Sequence, residues 1–230
     1  FSLISFTGDM TVEAIDGGAG ENVIVGSNSS NVMDFSGTML TNIARIEGFF
    51  GNDVITGTTE DDVISGGNGN DFLMGGDGDD TLQGDAGRDR LFGDAGDDRL
   101  IVENDDFLMV DGGTGTDTVA IDFNLGLANV IDTRLVNIES FDLRGGSDAT
   151  LTIGLNDVLA ATDGANDLTG GLDDLVIRRD ADDTVNVVSD TWDVSQDDID
   201  TDGDGVTEDY TVFNDAASGA TVYVENAQLA

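Results

Sequence analysis

Cysteine, proline, histidine and lysine are all missing from this 230-residue chain. Without cysteine there is no disulfide framework and no thiol chemistry. Without histidine the usual general base is gone, and with it triad catalysis and most zinc or haem sites. The lack of proline removes slow prolyl isomerisation from folding. Basic residues are scarce too: eight Arg stand against forty Asp and eight Glu, a formal net charge of -40. That balance excludes nucleic acid, whose phosphates need a basic face, and it disfavours an anionic membrane surface. No apolar run approaches the length that spans a bilayer. Cations are the natural partner.

The acidity that is present has a particular form. Asp outnumbers Glu five to one, and short carboxylates beside glycine suit tight, oxygen-lined turns. High net charge with 6% aromatics is the composition of a disordered chain. Against that stand 39% hydrophobic residues, regularly spaced. Conditional order is expected, with disorder until the carboxylates are neutralised. The opening "FSLISFTGDM" has neither an initiator Met nor a signal-peptide pattern, which suggests a piece of a longer polypeptide.

A nine-residue period organises the first half. Six consecutive units read "GFFGNDVIT" (48–56), "GTTEDDVIS" (57–65), "GGNGNDFLM" (66–74), "GGDGDDTLQ" (75–83), "GDAGRDRLF" (84–92) and "GDAGDDRLI" (93–101). Position six is always Asp: Asp53, Asp62, Asp71, Asp80, Asp89 and Asp98. Position eight is always a large aliphatic: Ile55, Ile64, Leu73, Leu82, Leu91 and Leu100. A further copy, "GGTGTDTVA" (112–120), follows a ten-residue interruption, and two weaker copies at 17–34 carry Asn22 and Asn31 in place of Asp.

Each unit divides into a glycine-rich turn of six and an extended piece of three. Glycine permits the positive φ such a turn needs and the close approach of backbone carbonyls to a ligand. A three-residue strand with one inward aliphatic forms no core alone, so the units must stack. If two units make one coil, residues eighteen apart lie about 4.8 Å apart on neighbouring coils. Asp53, Asp71 and Asp89 then form one column, and Asp62, Asp80 and Asp98 the other. Two carboxylates at about 5 Å repel by roughly 3 kcal/mol at an effective dielectric of about 20. One buried aliphatic per nine ordered residues does not offset that repulsion together with the backbone entropy. A bound cation is required, and an oxygen cage with no nitrogen or sulfur donor favours calcium.

The run "GGNGNDFLMGGDGDDTLQGDAGRDRLFGDAGDDRLI" resembles the RTX, or haemolysin-type calcium-binding, repeat of bacterial proteins secreted by the type I pathway. The resemblance covers 48–101 and implies an all-β fold: a parallel β-roll, or β-solenoid, with calcium between turns. One turn would give the carbonyls of positions one and three plus its Asp. The turn one coil later would give the carbonyls of positions two and four plus its Asp. Carried over, Gly66, Asn68 and Asp71 join Asp85, Gly87 and Asp89, and Gly75, Asp77 and Asp80 join Asp94, Gly96 and Asp98. Earlier, Gly48, Phe50 and Asp53 join Gly67, Gly69 and Asp71, and Gly57, Thr59 and Asp62 join Gly76, Gly78 and Asp80. A fifth set joins Gly93, Ala95 and Asp98 to Gly113, Gly115 and Asp117. The turn "GTTEDD" lacks glycine at positions two and four, so a weaker or distorted site is expected there. In the "GD" starts of the last two units only a carbonyl is asked of position two. The remaining acids, such as Asp79 and Asp97, are expected to form a solvated face.

Three regions are expected: an N-terminal β segment with degenerate repeats (1–47), the calcium β-roll (48–120) and a mixed β capping domain (121–230). "LTNIARIEG" (40–48) and "LVNIESFDL" (135–143) echo one another as strands that start or close a block. Beyond 143, short alternating runs such as "ATLTI", "DLVIRR" and "ATVYV" read as strands, and "GLNDVLAAT" (154–162) as one short helix. Trp192, Tyr210, Phe213 and Tyr223 read as a capping core. "DIDTDGDGVTEDY" (198–210) resembles the calcium loops of EF-hand and thrombospondin-type repeats, with Asp200, Asp202 and Asp204, then Gly205, then Glu208 or Asp209. A second register starts at Asp198, and an acidic hairpin tip is the alternative. The chain end "ATVYVENAQLA" suits an uncleaved export signal.

These features point to a non-enzymatic, calcium-folded module of an extracellular, secreted or cell-surface protein, in an adhesin, surface-layer or matrix role. The alternative is the C-terminal domain of a secreted hydrolase whose catalytic domain lies elsewhere. Expected partners are several Ca2+ ions, the type I secretion machinery in transit, and a cell surface or further copies of the chain. Nucleic acid and a membrane span are not expected.

Overall fold

The computed structural model describes residues 13–105, 107–121, 123–127, 134–144, 148–154, 174–179, 183–188, 193–199, 208–214, 216 and 220–226. Two compact units divide the chain, Phe1–Gly115 and Thr116–Ala230.

The first unit holds β1 (Ala14–Asp16), β2 (Val23–Val25), β3 (Val32–Asp34), β4 (Met39–Thr41), β5 (Arg45–Glu47), β6 (Val54–Thr56), β7 (Val63–Ser65), β8 (Phe72–Asp77), β9 (Thr81–Gln83), β10 (Arg90–Ala95), β11 (Arg99–Val102) and β12 (Met109–Thr114). Odd and even strands segregate from β5 onward: β2, β5, β7, β9 and β11 form one parallel sheet, and β3, β6, β8, β10 and β12 another. In the three-residue strands β5, β6, β7 and β9 only the middle residue is buried, while β8, β10 and β12 run on into the glycines of the next turn. Val54, Phe72 and Arg90 stand in register, as do Val63, Thr81 and Arg99, a spacing of eighteen residues per coil.

Between the sheets run two apolar columns, Ile55, Leu73, Leu91 and Val110 in one and Ile46, Ile64, Leu82 and Leu100 in the other, each at most 1% exposed. The stack takes in the weak upstream copies. There β2 pairs with β5 and β3 with β6 at a spacing of twenty-two residues, because β4 adds a third side to the coil and pairs with β1. The ten-residue interruption is itself part of a coil. Met109 and Val110 pair with Arg90 and Leu91, so the interruption keeps the strand of a repeat and replaces only its turn.

The second unit holds β13 (Thr118–Ile121), β14 (Leu125–Gly126), β15 (Leu135–Val136), β16 (Ser140–Asp142), β17 (Thr150–Gly154), β18 (Asp174–Arg178), β19 (Thr184–Val188), β20 (Asp193–Ile199), β21 (Glu208–Asn214) and β22 (Thr221–Glu225). Parallel pairing runs through β13, β16, β18 and β22, and separately through β14, β17 and β19. The chain then reverses, with β22, β21 and β20 pairing antiparallel. Three of its strands bury two or three apolar side chains each: Val119, Ala120 and Ile121 in β13, Leu151 and Ile153 in β17, and Leu175, Val176 and Ile177 in β18. Tyr210 and Val212 pack on Val176 with Tyr223 beside them, the two tyrosine rings edge to face. Phe213 is half-buried, whereas Trp192 lies outside the described residues. Gly154 is the last residue of β17, and the rest of the expected helix falls outside the described residues, among which there is no α-helix. The described residues are all-β, and the parallel coils of the first unit form a β-solenoid.

The echoing segments share a backbone device. Asn42 and Asn137 both adopt left-handed conformations, φ 55 and 53, each just after a short strand and before the next. Asn tolerates that region better than most residues.

Candidate metal centre

The stack brings the position-six aspartates into two ladders. Asp53 donates its backbone N–H to Asp71 Oδ1 (2.7 Å), Asp71 donates to Asp89 Oδ1 (2.8 Å), and Asn31 donates to Asp53 Oδ1 (2.6 Å). On the other side Asp62 donates to Asp80 Oδ1 (2.7 Å) and Asp80 to Asp98 Oδ1 (2.8 Å). One carboxylate oxygen of each pair therefore fastens two coils together. The second oxygen is different. In Asp53, Asp71 and Asp80 it is fully buried and accepts no hydrogen bond.

Those oxygens converge with carbonyls from the coil above. The point where a β-carbon on Gly66 would stand lies 2.5 Å from Asp71 Oδ2 and 2.9 Å from the Gly84 carbonyl oxygen. At Gly48 the same point lies 2.6 Å from Asp53 Oδ2 and 2.4 Å from the Gly66 oxygen, and at Gly75 it lies 2.1 Å from Asp80 Oδ2 and 2.7 Å from the Gly93 oxygen. Position-one glycine vacates a space that two oxygens, one of them anionic, then share. Two such acceptors repel unless a donor or a cation lies between them.

The weak copy at 17–22 shows what a donor does there. Asn22 Nδ2 donates to the Asn42 carbonyl (3.0 Å) and to the Gly20 carbonyl (3.2 Å), at the place where an Asp turn sets oxygen against oxygen. The amide is neutral and supplies its own protons, so this turn is satisfied from within the chain. The Asp turns are not.

Burial explains the titration of the ladder. It pushes the Asp80 carboxyl up to about 7 and those of Asp71, Asp89 and Asp98 to about 6, and carboxylates of adjacent coils push the same way for Asp71 and Asp80. Backbone N–H donors from the preceding coil oppose this without cancelling it. Asp53 and Asp62 are raised as well, again chiefly by burial.

The remaining predicted residues fall around this frame. Gly48, Gly57, Gly66, Gly75 and Gly93 are buried at position one. Gly69, Gly78, Gly87, Gly96 and Gly115 hold positive φ at position four. Added β-carbons on Gly69 and Gly87 would stand 1.5 and 1.4 Å from the carbonyl oxygens of Gly51 and Gly69, so only glycine fits. Position two also requires the left-handed region: Gly67, Gly76 and Gly113 adopt it, and so do Asp85 (φ 63), Asp94 (φ 75) and Phe49 (φ 83). The expectation that position two is asked only for a carbonyl is therefore corrected, since a backbone conformation is demanded there as well. At position three, Phe50, Asn68 and Ala86 bridge successive coils, Thr59 is exposed, and Asp77 and Ala95 end β8 and β10. Asp117 opens the second unit, fully buried, and donates its N–H to Glu139 Oε2 (2.8 Å).

The turn without glycines differs as its sequence implies. Thr58 and Glu60 take no positive φ, and Thr58 donates its N–H to Asp62 Oδ2 (2.6 Å). The oxygen that stays bare in Asp53, Asp71 and Asp80 is thus consumed by its own turn. In the acidic stretch 198–210, Asp198 pairs with Asp209 and Ile199 with Glu208 across an antiparallel pair, while Asp200, Asp202 and Asp204 lie outside the described residues.

A second ladder escaped the sequence reading. Position-five residues are exposed, yet Asn70 donates its N–H to Asn52 Oδ1, Arg88 to Asn70 Oδ1, Asp79 to Asp61 Oδ1 and Asp97 to Asp79 Oδ1, all at 2.9 Å. Asp79 and Asp97 do face solvent, but they also tie coils together in the opposite direction to the inner ladder. The only sequence signal was the repeated Asn or Asp at that position.

Among the described residues no three acidic side chains converge on one point. The oxygens that do meet in the roll are a carboxylate Oδ2 and a backbone carbonyl, donor types that suit calcium. The family described as RTX calcium-binding nonapeptide repeat, four copies, matches residues 7–37, 47–82 and 74–106. Over these residues the chain carries RTX calcium-binding nonapeptide repeats. RTX repeats bind Ca2+, several ions per repeat region, and the RTX roll of this chain is a calcium-binding structural element. No curated protein and no solved structure is significantly similar to the chain.

Proposed function

We propose that each Asp turn of the roll holds calcium between itself and the turn one coil later. The module would then be a calcium-triggered folding unit of a bacterial protein exported by the type I route to the cell surface or the medium, in an adhesin, surface-layer or matrix role. The observation that carries this reading is the buried, unpartnered Oδ2 of Asp53, Asp71 and Asp80, each facing a backbone carbonyl. Calcium supplies the positive charge that lets these oxygens approach.

The chain's own residues do the rest. Asp71 with the carbonyls of Gly66 and Asn68 faces Asp89 and the carbonyls of Asp85 and Gly87. Asp80 with Gly75 and Asp77 faces Asp98, Asp94 and Gly96. Asp53 with Gly48 and Phe50 faces Asp71, Gly67 and Gly69. The set around Asp62 is the weakest, because Thr58 already occupies one of its oxygens. Sites of extracellular-module affinity, about 10⁻⁴–10⁻³ M, stay empty in a calcium-poor cytosol. The charged chain remains unfolded for export and orders outside, so metal affinity and folding free energy are one quantity.

Far-UV circular dichroism during a calcium titration from chelator, with magnesium as control, tests this. A cooperative gain of β structure near millimolar calcium, absent with magnesium, is expected. A spectrum equally β-rich in chelator would refute coupled folding.

A further inference from the structure

The Asp53–Asp71–Asp89 ladder ends against the turn that replaces a repeat. At seven position-one glycines, Gly17, Gly26, Gly48, Gly57, Gly66, Gly75 and Gly93, the space of the missing β-carbon faces a carbonyl oxygen of the next coil. Gly84 is the exception: its three nearest atoms all belong to Asp89, with Oδ2 at 2.7 Å. Beyond it lies a hole of about 10 Å³ bounded by Gly84, Asp89, Leu91, Glu103, Asn104 and Phe107. That is close to the space one water-sized occupant needs, about 10–15 Å³.

The walls of this hole favour a cation. Asp89 is 5% exposed and lines the hole; its Oδ1 takes the Asp71 N–H, while its Oδ2 lies 2.7 Å from the point where a β-carbon on Gly84 would stand. The next coil offers Glu103 and Asn104 in place of a glycine-rich turn. Gln83 Nε2 steadies this side by donating to Glu103 Oε1 (2.5 Å) and Asp85 Oδ1 (2.8 Å). Phe107, 3% exposed, gives the hole an apolar wall. A lone water would leave the Asp89 charge without a counter-charge in a buried place, whereas a divalent ion neutralises it.

We infer that this hole is an additional calcium site, built from the Asp89 carboxylate on one coil and the oxygens of Glu103 and Asn104 on the next. It rests on the reading that the Asp columns bind calcium, but it uses residues outside the nonapeptide motif. The degenerate turn is then a terminal ligand set that closes one column, with acidic and amide side chains replacing the carbonyls a glycine turn would present.

Calcium stoichiometry on the full 230-residue chain decides the matter, by equilibrium dialysis with elemental analysis at saturating calcium. The Glu103→Gln/Asn104→Ala double variant is expected to carry one ion fewer than wild type with an unchanged circular dichroism spectrum. Asp105→Asn, next in sequence but not in the wall, is expected to keep the full count. Should the double variant fail to fold, the isosteric Glu103→Gln alone carries the same test. Equal counts in wild type and variant would overturn this inference and leave the columns standing. Failure of wild type to take up any calcium would overturn both.

Discussion

The turns at 17–22 and 66–71 share one backbone plan and opposite electrostatics. In the first, Asn22 bridges to the next coil through its own amide protons. In the second, Asp71 sets a buried anionic oxygen against the Gly84 carbonyl. One atom's difference, nitrogen for oxygen, separates a turn that completes itself from a turn that waits for a cation. The lesson extends to the larger scale. Most strands of the roll bury a single large aliphatic, whereas β13, β17 and β18 of the second unit bury two or three apolar side chains each. Asp183 Oδ1 takes the Ala149 N–H there (2.9 Å).

Removing calcium should break the comparison most visibly. Hydrogen exchange in chelator is expected to show lost protection at the amides of Asp53, Asp71 and Asp80, while β17, β18 and β22 retain theirs because apolar burial holds them. Uniform loss across both units would show that the second unit depends on calcium as well.

Substitution of a single rung comes next. Asp80→Ala removes an oxygen shared by two successive turns and is expected to raise the calcium midpoint of folding at least about tenfold, the factor that about 1.4 kcal/mol represents. Asp80→Asn should lose calcium too, yet fold further in chelator than Asp80→Ala, because its amide can donate to the Gly93 carbonyl as Asn22 does to Asn42. Identical spectra for the two variants in chelator would deny that the amide replaces the ion. In the other column Asp71→Ala is expected to raise the midpoint more than Asp53→Ala, since Asp71 lies between two carboxylates while Asp53 has Asn31 on one side.

Protons should mimic the effect in part. The folded, calcium-free carboxyls of Asp71, Asp80, Asp89 and Asp98 are raised to about 6 to 7 from an ordinary 3.8, so the folded chain binds more protons than the unfolded one. Their contribution is fully present below about pH 4 and is lost as pH rises through 6 to 7. In chelator, β content should therefore increase as pH falls from 7.5 towards 5. In calcium, the midpoint should move to higher concentration over the same range, as protons compete for the ligands. A calcium midpoint independent of pH would remove these carboxyls from the site.

The smallest effect belongs to the outer ladder. Asn70→Ala deletes one exposed acceptor for the Arg88 N–H and is expected to cost about 0.5–1.5 kcal/mol without changing the number of ions bound, as read by thermal melting and dialysis together.

The nine-residue period was enough to place the aspartates in two columns on stacked coils, because side chains eighteen residues apart must then meet, and the parallel roll was legible through the resemblance to RTX repeats. The echo of "LTNIARIEG" and "LVNIESFDL" was legible too, though not its cause, the left-handed Asn42 and Asn137. What the stacking decided was which atoms meet. The N–H that Asp71, Asp80, Asp89 and Asp98 each accept comes from a residue eighteen positions earlier, and the outer ladder runs the opposite way. The interruption at 102–111 proved to be a coil with a foreign turn. Asn22 completes its turn while Thr58 occupies Asp62. Such contacts join residues whose separation in sequence is fixed but whose approach in space depends on how one coil settles on the next, and a local pattern carries no record of that approach.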